Sequence, residues 1–232
     1  MGIFDKIKEV DLITELCEHL RQIGIEATVL DVKSPEAIHH TPTMHIIYSI
    51  KNIPPLGCVK VEGRNIDLVE VCRFLGSAGG LSGSASAGGF GGSAGPGGPL
   101  ATYRYNYILK ANVGKLEDKL KAEAERITKG LLGREIIDYM WLGGELAQLL
   151  NADTELKNML LGFGSPKLMV HPNKKLQYVE ITPIVSSTNI VIGGIPIKYN
   201  LTVGRKAFPT REAFEAYDRI AQHIRSILSS QP

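Results

Sequence analysis

A tract of 24 residues, Gly76 to Pro99, contains only glycine, serine, alanine and proline apart from Leu81 and Phe90. The tract carries no charged side chain. Because two large apolar side chains cannot offset the entropy lost on ordering so much backbone, the tract is predicted to be a flexible loop or tether. A packed core must therefore come from residues 1–75 and 100–232.

The same tract matches two catalytic patterns through its composition. Residues 91–95 read Gly-Gly-Ser-Ala-Gly, a pattern that surrounds the nucleophile of some hydrolases, and residues 89–94 satisfy a loose dinucleotide-binding pattern. Both patterns work only where a strand precedes them and a helix follows, so that the turn presents the reacting group. Glycine and serine continue here on both sides, so neither match indicates a site.

The spacing of apolar residues outside the tract predicts an α+β fold, with antiparallel sheets packed against amphipathic helices. Turns connect the predicted strands more often than helices do, and Gly193-Gly194 forms the clearest hairpin turn. Helices are predicted over residues 3–23, 66–75, 115–132 and 145–161, the last with a break near residue 152, and after the N-cap Thr210. Strands are predicted over residues 26–32, 43–50, 58–62, 101–113, 135–142, 167–171, 177–185, 189–192 and 195–203.

The order of these elements predicts two similar helix–strands–helix halves. Residues 1–75 together with 100–133 form the first half, residues 76–99 form the loop or tether, and residues 134–232 form the second half. The two halves share no convincing residue-by-residue identity, so a duplication rests on the order of elements alone.

The composition indicates the compartment of the protein but does not favour any class of partner. The formal net charge is +2, the hydrophobic fraction is 44%, and no apolar run approaches the roughly 18 residues of a membrane-spanning helix. Charges begin at Asp5, so the start of the chain lacks the apolar region of a signal peptide. The odd number of cysteines, Cys17, Cys58 and Cys72, is typical of reduced core residues. We therefore expect a cytoplasmic protein that does not enter a membrane.

No motif in a suitable structural context assigns a catalytic or cofactor-binding residue, so whether the chain is an enzyme is left open and no cofactor is predicted. Lys115 follows a glycine as in phosphate loops, but Leu116 stands where serine or threonine would hold magnesium. His39, His40 and His45 come closest to a metal site. Adjacent residues of a strand point to opposite faces, however, so surface histidines are the favoured interpretation and no metal is predicted.

Positive charge is concentrated in residues 163–211, where seven basic residues accompany a single acid, Glu180. Because the segment is predicted to be mostly sheet, its charges could share one face with Tyr178 and Tyr199, as in proteins that bind phosphate-rich ligands. Lysines also discourage pairing between sheet edges, and that interpretation is preferred. The candidate anion-binding residues are Lys174, Lys175, Lys198, Arg205 and Lys206.

Tyr103, Tyr105 and Tyr107 alternate along one predicted strand, which places three phenols on one face. Such a row could stack on bases. Packing against a helix or a partner is the favoured interpretation, and a dimer through a sheet edge is also expected.

The sequence thus favours a non-catalytic interaction or assembly module that binds a protein partner or a second copy of itself. The alternative is binding of nucleic acid or another anionic ligand through the basic sheet of residues 163–211. An enzyme whose site is assembled from scattered residues is the third class.

Overall fold

The computed structural model describes residues 3–30, 56–75, 101–130, 135–184, 188–192, 195–199 and 208–230. For residues 3–11, 72–75, 101–104, 184, 188–192 and 195–199 only the backbone is described. The predictions for the Gly-rich tract and for a strand over residues 43–50 lie outside these ranges.

The described chain forms five helices and ten strands. The helices are α1 (Ile3–Gln22), α2 (Glu117–Leu120), α3 (Glu145–Ala152), α4 (Thr154–Gly162) and α5 (Arg211–Ser229). The strands are β1 (Ala27–Leu30), β2 (Gly57–Val61), β3 (Leu68–Leu75), β4 (Ala101–Lys110), β5 (Ala122–Lys129), β6 (Glu135–Gly143), β7 (Lys167–Asn173), β8 (Tyr178–Ile184), β9 (Thr188–Ile192) and β10 (Ile195–Tyr199). Among the helices of the described chain, none combines the length and the apolar content needed to cross a membrane.

Eight strands form one antiparallel sheet in the order β1-β2-β3-β4-β8-β7-β5-β6. Strands β9 and β10 form a separate hairpin in which Ile192 pairs with Ile195, as the Gly193-Gly194 turn predicts. The predicted α+β class with antiparallel pairing is therefore confirmed.

The main core lies between one face of the large sheet and the helices. Side chains of α1, α3, α4 and α5 join inward side chains of the strands in one continuous apolar cluster. Leu16, Leu20, Leu120, Ile220 and Ile224 are fully buried there, as the helical spacing predicts. The predicted cap of α5 is also present, because Thr210 Oγ1 accepts a hydrogen bond of 3.3 Å from the Ala213 N–H.

Two predicted helices are strands. Residues 68–75 form β3, which pairs with β2 on one side and β4 on the other. Leu68, Val69, Glu70 and Val71 are all buried, so both faces of this strand are covered. A strand buried on both faces has no alternation of apolar and polar residues, and its continuous apolar run resembles a buried helix.

The predicted helix over residues 115–132 is the short helix α2 followed by β5. Ala122 and Ala124 alternate toward the core and pair with both neighbouring strands, β6 and β7. Ile127, predicted to be buried on a helix face, is instead 39% exposed on the hairpin of β5 and β6.

The two predicted halves contribute strands to the same sheet. Strand β4 pairs with β8, and β5 lies between β7 and β6. The predicted boundary at residues 133 and 134 falls in the connection between β5 and β6. The helix that would close the first half is absent from residues 122–129, and the duplication stays a prediction.

Candidate functional site

The metal-site candidates His39, His40 and His45 lie outside the described residues. Within the described ranges, no group of three histidine, cysteine, aspartate or glutamate side chains could hold a metal ion.

Two of the five anion-binding candidates, Lys174 and Lys175, are exposed in the turn between β7 and β8. Lys198 pairs with Asn189 across the β9–β10 hairpin, and its side chain is not described. Arg205 and Lys206 lie outside the described residues.

The structure adds two lysines that the sequence analysis did not connect with this turn. Gln177, which has a left-handed φ of 55°, accepts hydrogen bonds from Val113 N–H through its Oε1 (3.1 Å) and from Ala111 N–H through its backbone oxygen (3.0 Å). The loop after β4 is thereby fixed to the β7–β8 turn. The exposed side chains of Lys110, at the end of β4, and of Lys115, in this loop, are brought close to the turn. We call these four residues the lysine end: Lys110, Lys115, Lys174 and Lys175.

The tyrosine row belongs to the core where its side chains are described. Tyr107 is 2% exposed, and its ring centroid lies 4.7 Å from that of Tyr217 and 6.0 Å from that of Phe214. Burial raises the pKa of Tyr107 well above its ordinary value. Strand β4 lies inside the sheet between β3 and β8, so an edge dimer through this strand is excluded and the preferred packing interpretation is confirmed for Tyr105 and Tyr107.

The opposite face of the sheet contains a buried polar row. Cys58 pairs with Glu70 and Glu70 with Asn106, and all three side chains are at most 3% exposed. Thr182 Oγ1, on β8, lies 2.5 Å from Glu180 Oε1 and 3.5 Å from Asn106 Oδ1. A sequence-based signal for this row exists, because Glu70 and Glu180 are the single acids of the mostly apolar strands β3 and β8.

The chemistry of this row does not favour nucleophilic catalysis. Burial, and secondly the charge of Glu70, raise the pKa of the Cys58 thiol to about 11. The thiol therefore stays protonated near neutral pH, and a protonated thiol is a poor nucleophile.

A second polar cluster joins α4 to α5. Asp153, which is 9% exposed, caps α4 by accepting a hydrogen bond of 3.0 Å from Leu156 N–H. Its Oδ2 lies 2.6 Å from Arg219 Nε and 2.8 Å from His223 Nε2, and Arg219 Nη2 donates to Oδ1 at 3.0 Å. Both oxygens of this carboxylate thus accept hydrogen bonds that link the two helices.

An exposed apolar surface lies on the β5–β6 hairpin, on the face opposite the core. Tyr139 and Trp141 point into the core, so by alternation Met140 and Leu142 point away from it. The register shifts by one residue at a β-bulge, because Ile127 pairs with Asp138 whereas Thr128 pairs with Ile136. We define the hairpin patch as four exposed side chains of this hairpin: Ile127, Met140 and Leu142, which share the face opposite the core, and Ile137, the unpaired residue of the bulge.

The described edges of the large sheet are capped by helix side chains. At β6, Asn151 of α3 accepts from Trp141 N–H at 2.9 Å and donates to the Trp141 backbone oxygen at 2.8 Å. At β1, Arg21 Nε and the Cys17 thiol of α1 both donate to the backbone oxygen of Ala27. These side chains occupy backbone groups that an added strand would need.

Comparison of the chain with protein-family models, with curated proteins and with solved structures finds no match.

Proposed function

We propose that the protein is an interaction module that associates with a second copy of itself through the hairpin patch. The observation that carries this proposal is the clustering of exposed apolar side chains. Seven large apolar side chains are exposed in the described part of the chain, and four of them form the hairpin patch. Exposed apolar side chains that are grouped on one element are typical of interaction sites, whereas apolar side chains exposed singly are ordinary.

The caps on the sheet edges support contact through the face of the hairpin. Asn151 occupies both backbone groups of Trp141, and Asp138 accepts a hydrogen bond of 2.7 Å from Tyr139 N–H. A partner strand would have to displace these side chains before it could pair with β6. The face that carries Met140 and Leu142 has no such obstacle within the described residues.

Charges of both signs on the face of the patch favour a second copy as the partner. Glu123 and Glu125 of β5 lie directly opposite Leu142 and Met140 across the hairpin, and Lys167 of β7 forms ion pairs with both acids. A two-fold axis through the patch would place the same apolar surface and both signs of charge on each side, as an isologous interface requires. Met140 adds a flexible side chain that adapts to such a surface.

Sedimentation velocity over a range of protein concentrations tests this proposal. The wild-type protein should shift from monomer to dimer as concentration rises. The double variant Met140→Ser/Leu142→Ser should raise the dissociation constant at least about 10-fold, because it removes apolar side chains from the centre of the interface.

Val29→Ser is the matched control, since Val29 is 47% exposed on β1 at the other end of the sheet. This variant should dimerise as the wild type does. A wild-type protein that stays monomeric at every concentration, or equal weakening by both substitutions, would exclude self-association through the hairpin patch.

A further inference from the structure

The lysine end is a separate surface, and two structural connections hold it together. Lys110 is the last residue of β4 and pairs with Tyr178, the first residue of β8. In the turn that precedes β8, Gln177 Nε2 donates to the Lys174 backbone oxygen at 2.6 Å, and Asn173 Oδ1 accepts from Leu176 N–H at 3.0 Å. Pairing in the sheet and these hydrogen bonds therefore fix the position of the backbone that carries the four lysines.

The acids around the lysine end form their ion pairs with other cations. Asp67 binds Arg225 through both of its oxygens at 2.9 Å, and Glu62 lies 4.0 Å from Lys60. Glu117 and Asp118 both pair with Lys121, at 3.2 and 3.1 Å. Each of these acids thus pairs with a cation outside the lysine end, although Glu117 and Asp118 share Lys121. No ion pair within the described residues involves Lys110, Lys115, Lys174 or Lys175.

We propose that the lysine end binds the phosphate backbone of double-stranded nucleic acid without reading its sequence. Four exposed ammonium groups that form no ion pair within the described residues can each contact a phosphate, and such contacts release condensed counterions. The inference goes beyond the proposed self-association and uses a different surface of the molecule.

Two competing polyanions fit this surface less well. Binding of single strands depends on exposed aromatic side chains that stack on bases, and no tryptophan, tyrosine or phenylalanine side chain that the structure describes is exposed. A lipid surface would be contacted by Leu176, which is 41% exposed at the tip of the turn. One leucine inserts little apolar surface, since even a single myristoyl chain gives only marginal membrane binding.

Fluorescence anisotropy with a labelled DNA duplex of about 30 base pairs, measured at several salt concentrations, tests the proposal. With four phosphate contacts, the plot of log K against log salt concentration should have a slope of about −3 to −4. The variant in which Lys110, Lys115, Lys174 and Lys175 are all changed to Gln should bind at least about 10-fold more weakly at about 0.05 M salt, with a slope near zero.

A charge-matched control changes Lys119, Lys129, Lys157 and Arg211 to Gln, which removes the same formal charge from residues outside the lysine end. This control should keep most of the affinity and the slope of the wild type. The same sedimentation experiment applied to the lysine-end variant should show unchanged dimerisation, which separates this inference from the proposed function.

Four results would overturn the inference. Two concern the duplex: no binding by the wild type at about 0.05 M salt, or an equal loss of affinity in the two quadruple variants. The other two are tighter binding to a single strand of the same length, and binding to vesicles of anionic phospholipid with none to the duplex. The first two would remove the lysine end as a nucleic-acid surface. The last two would assign it to a different polyanion.

Discussion

At the scale of single residues, the charge of Asp153 contributes directly to the stability of the fold. Burial alone raises the pKa of Asp153, but hydrogen bonds from Arg219, His223 and Leu156 N–H outweigh that effect and hold the pKa well below its usual range. The carboxylate therefore stays ionised in the folded protein under conditions that protonate an aspartate in the unfolded chain, whose pKa is about 3.9.

The sign of the resulting pH dependence follows from that lowered pKa. The contribution of Asp153 to stability is complete above the pKa of the unfolded chain and is lost as the pH falls from about 5 toward the pKa of the folded state. Asp153→Asn should lower the free energy of unfolding by about 1–3 kcal/mol at pH 7, because charged hydrogen bonds to Arg219 and His223 are lost. Urea titrations between about pH 3 and pH 7 measure both effects.

Glu155→Gln is the control for this prediction. Glu155 also contacts Arg219, at 2.7 Å, but its side chain is 69% exposed, so the substitution should change stability by less than about 1 kcal/mol. An Asp153→Asn protein that loses as much stability in acid as the wild type would show that another group causes the acid dependence.

At the scale of elements, the join between β6 and α3 requires two glycines because the backbone of α2 and of its connection to β5 passes directly against it. A Cβ on Gly144 would lie 2.1 Å from the Asp118 backbone oxygen, and one on Gly143 would lie 2.2 Å from that of Lys121. Gly143 also has a φ of +140°, which side-chain-bearing residues rarely adopt. Since the obstructing atoms are backbone atoms, rotation of a side chain cannot relieve these contacts.

Gly144→Ala should therefore destabilise the protein by about 3 kcal/mol or more, as overpacking against a fixed backbone does. Gly162→Ala is the matched control, because a Cβ added there, at the end of α4, would have no heavy atom within 4 Å. That substitution should be neutral or stabilising by up to about 1 kcal/mol. Chemical denaturation of the two variants compares them, and equal midpoints would contradict the packing described for Gly144.

The elements that could be predicted from sequence are those with their own local signals. Helix α5 has a Thr210 cap and a clear apolar face, and the break between α3 and α4 coincides with Asp153, which caps the second helix. Strands β3 and β5 lack such signals. These two segments form strands because they pair with strands that are distant in sequence. Such pairing overrides helical spacing such as that of Leu120, Ala124 and Ile127.

The candidate surfaces also combine residues that the sequence places together with residues that only the fold brings together. Lys174 and Lys175 are adjacent in sequence, so their shared charge was visible without a structure. Lys110 and Lys115 join them only because β4 pairs with β8. The hairpin patch could not be predicted either, since it requires β5 to be a strand and Ile127 to face away from the core.

The whole molecule is predicted to unfold as one unit, because contacts cross the large sheet from end to end. Asp218 of α5 accepts hydrogen bonds from Asn65 N–H at 2.7 Å and Ile66 N–H at 3.0 Å, which links the C-terminal helix to the turn between β2 and β3. Trp141 is the single tryptophan and lies buried on β6, at the opposite end of the sheet from β1. Its fluorescence should therefore report the unfolding of the entire sheet.

A substitution at the β1 end provides the strongest test of this cooperativity. Leu16 is fully buried on α1, which packs against β1 and β2, so Leu16→Ala should cost about 2–5 kcal/mol. If the sheet unfolds as one unit, the urea midpoint seen by Trp141 fluorescence and that seen by circular dichroism should fall together in this variant. A Trp141 transition that keeps its wild-type midpoint would show that the predicted halves, residues 1–133 without the tract and residues 134–232, unfold separately despite their shared sheet.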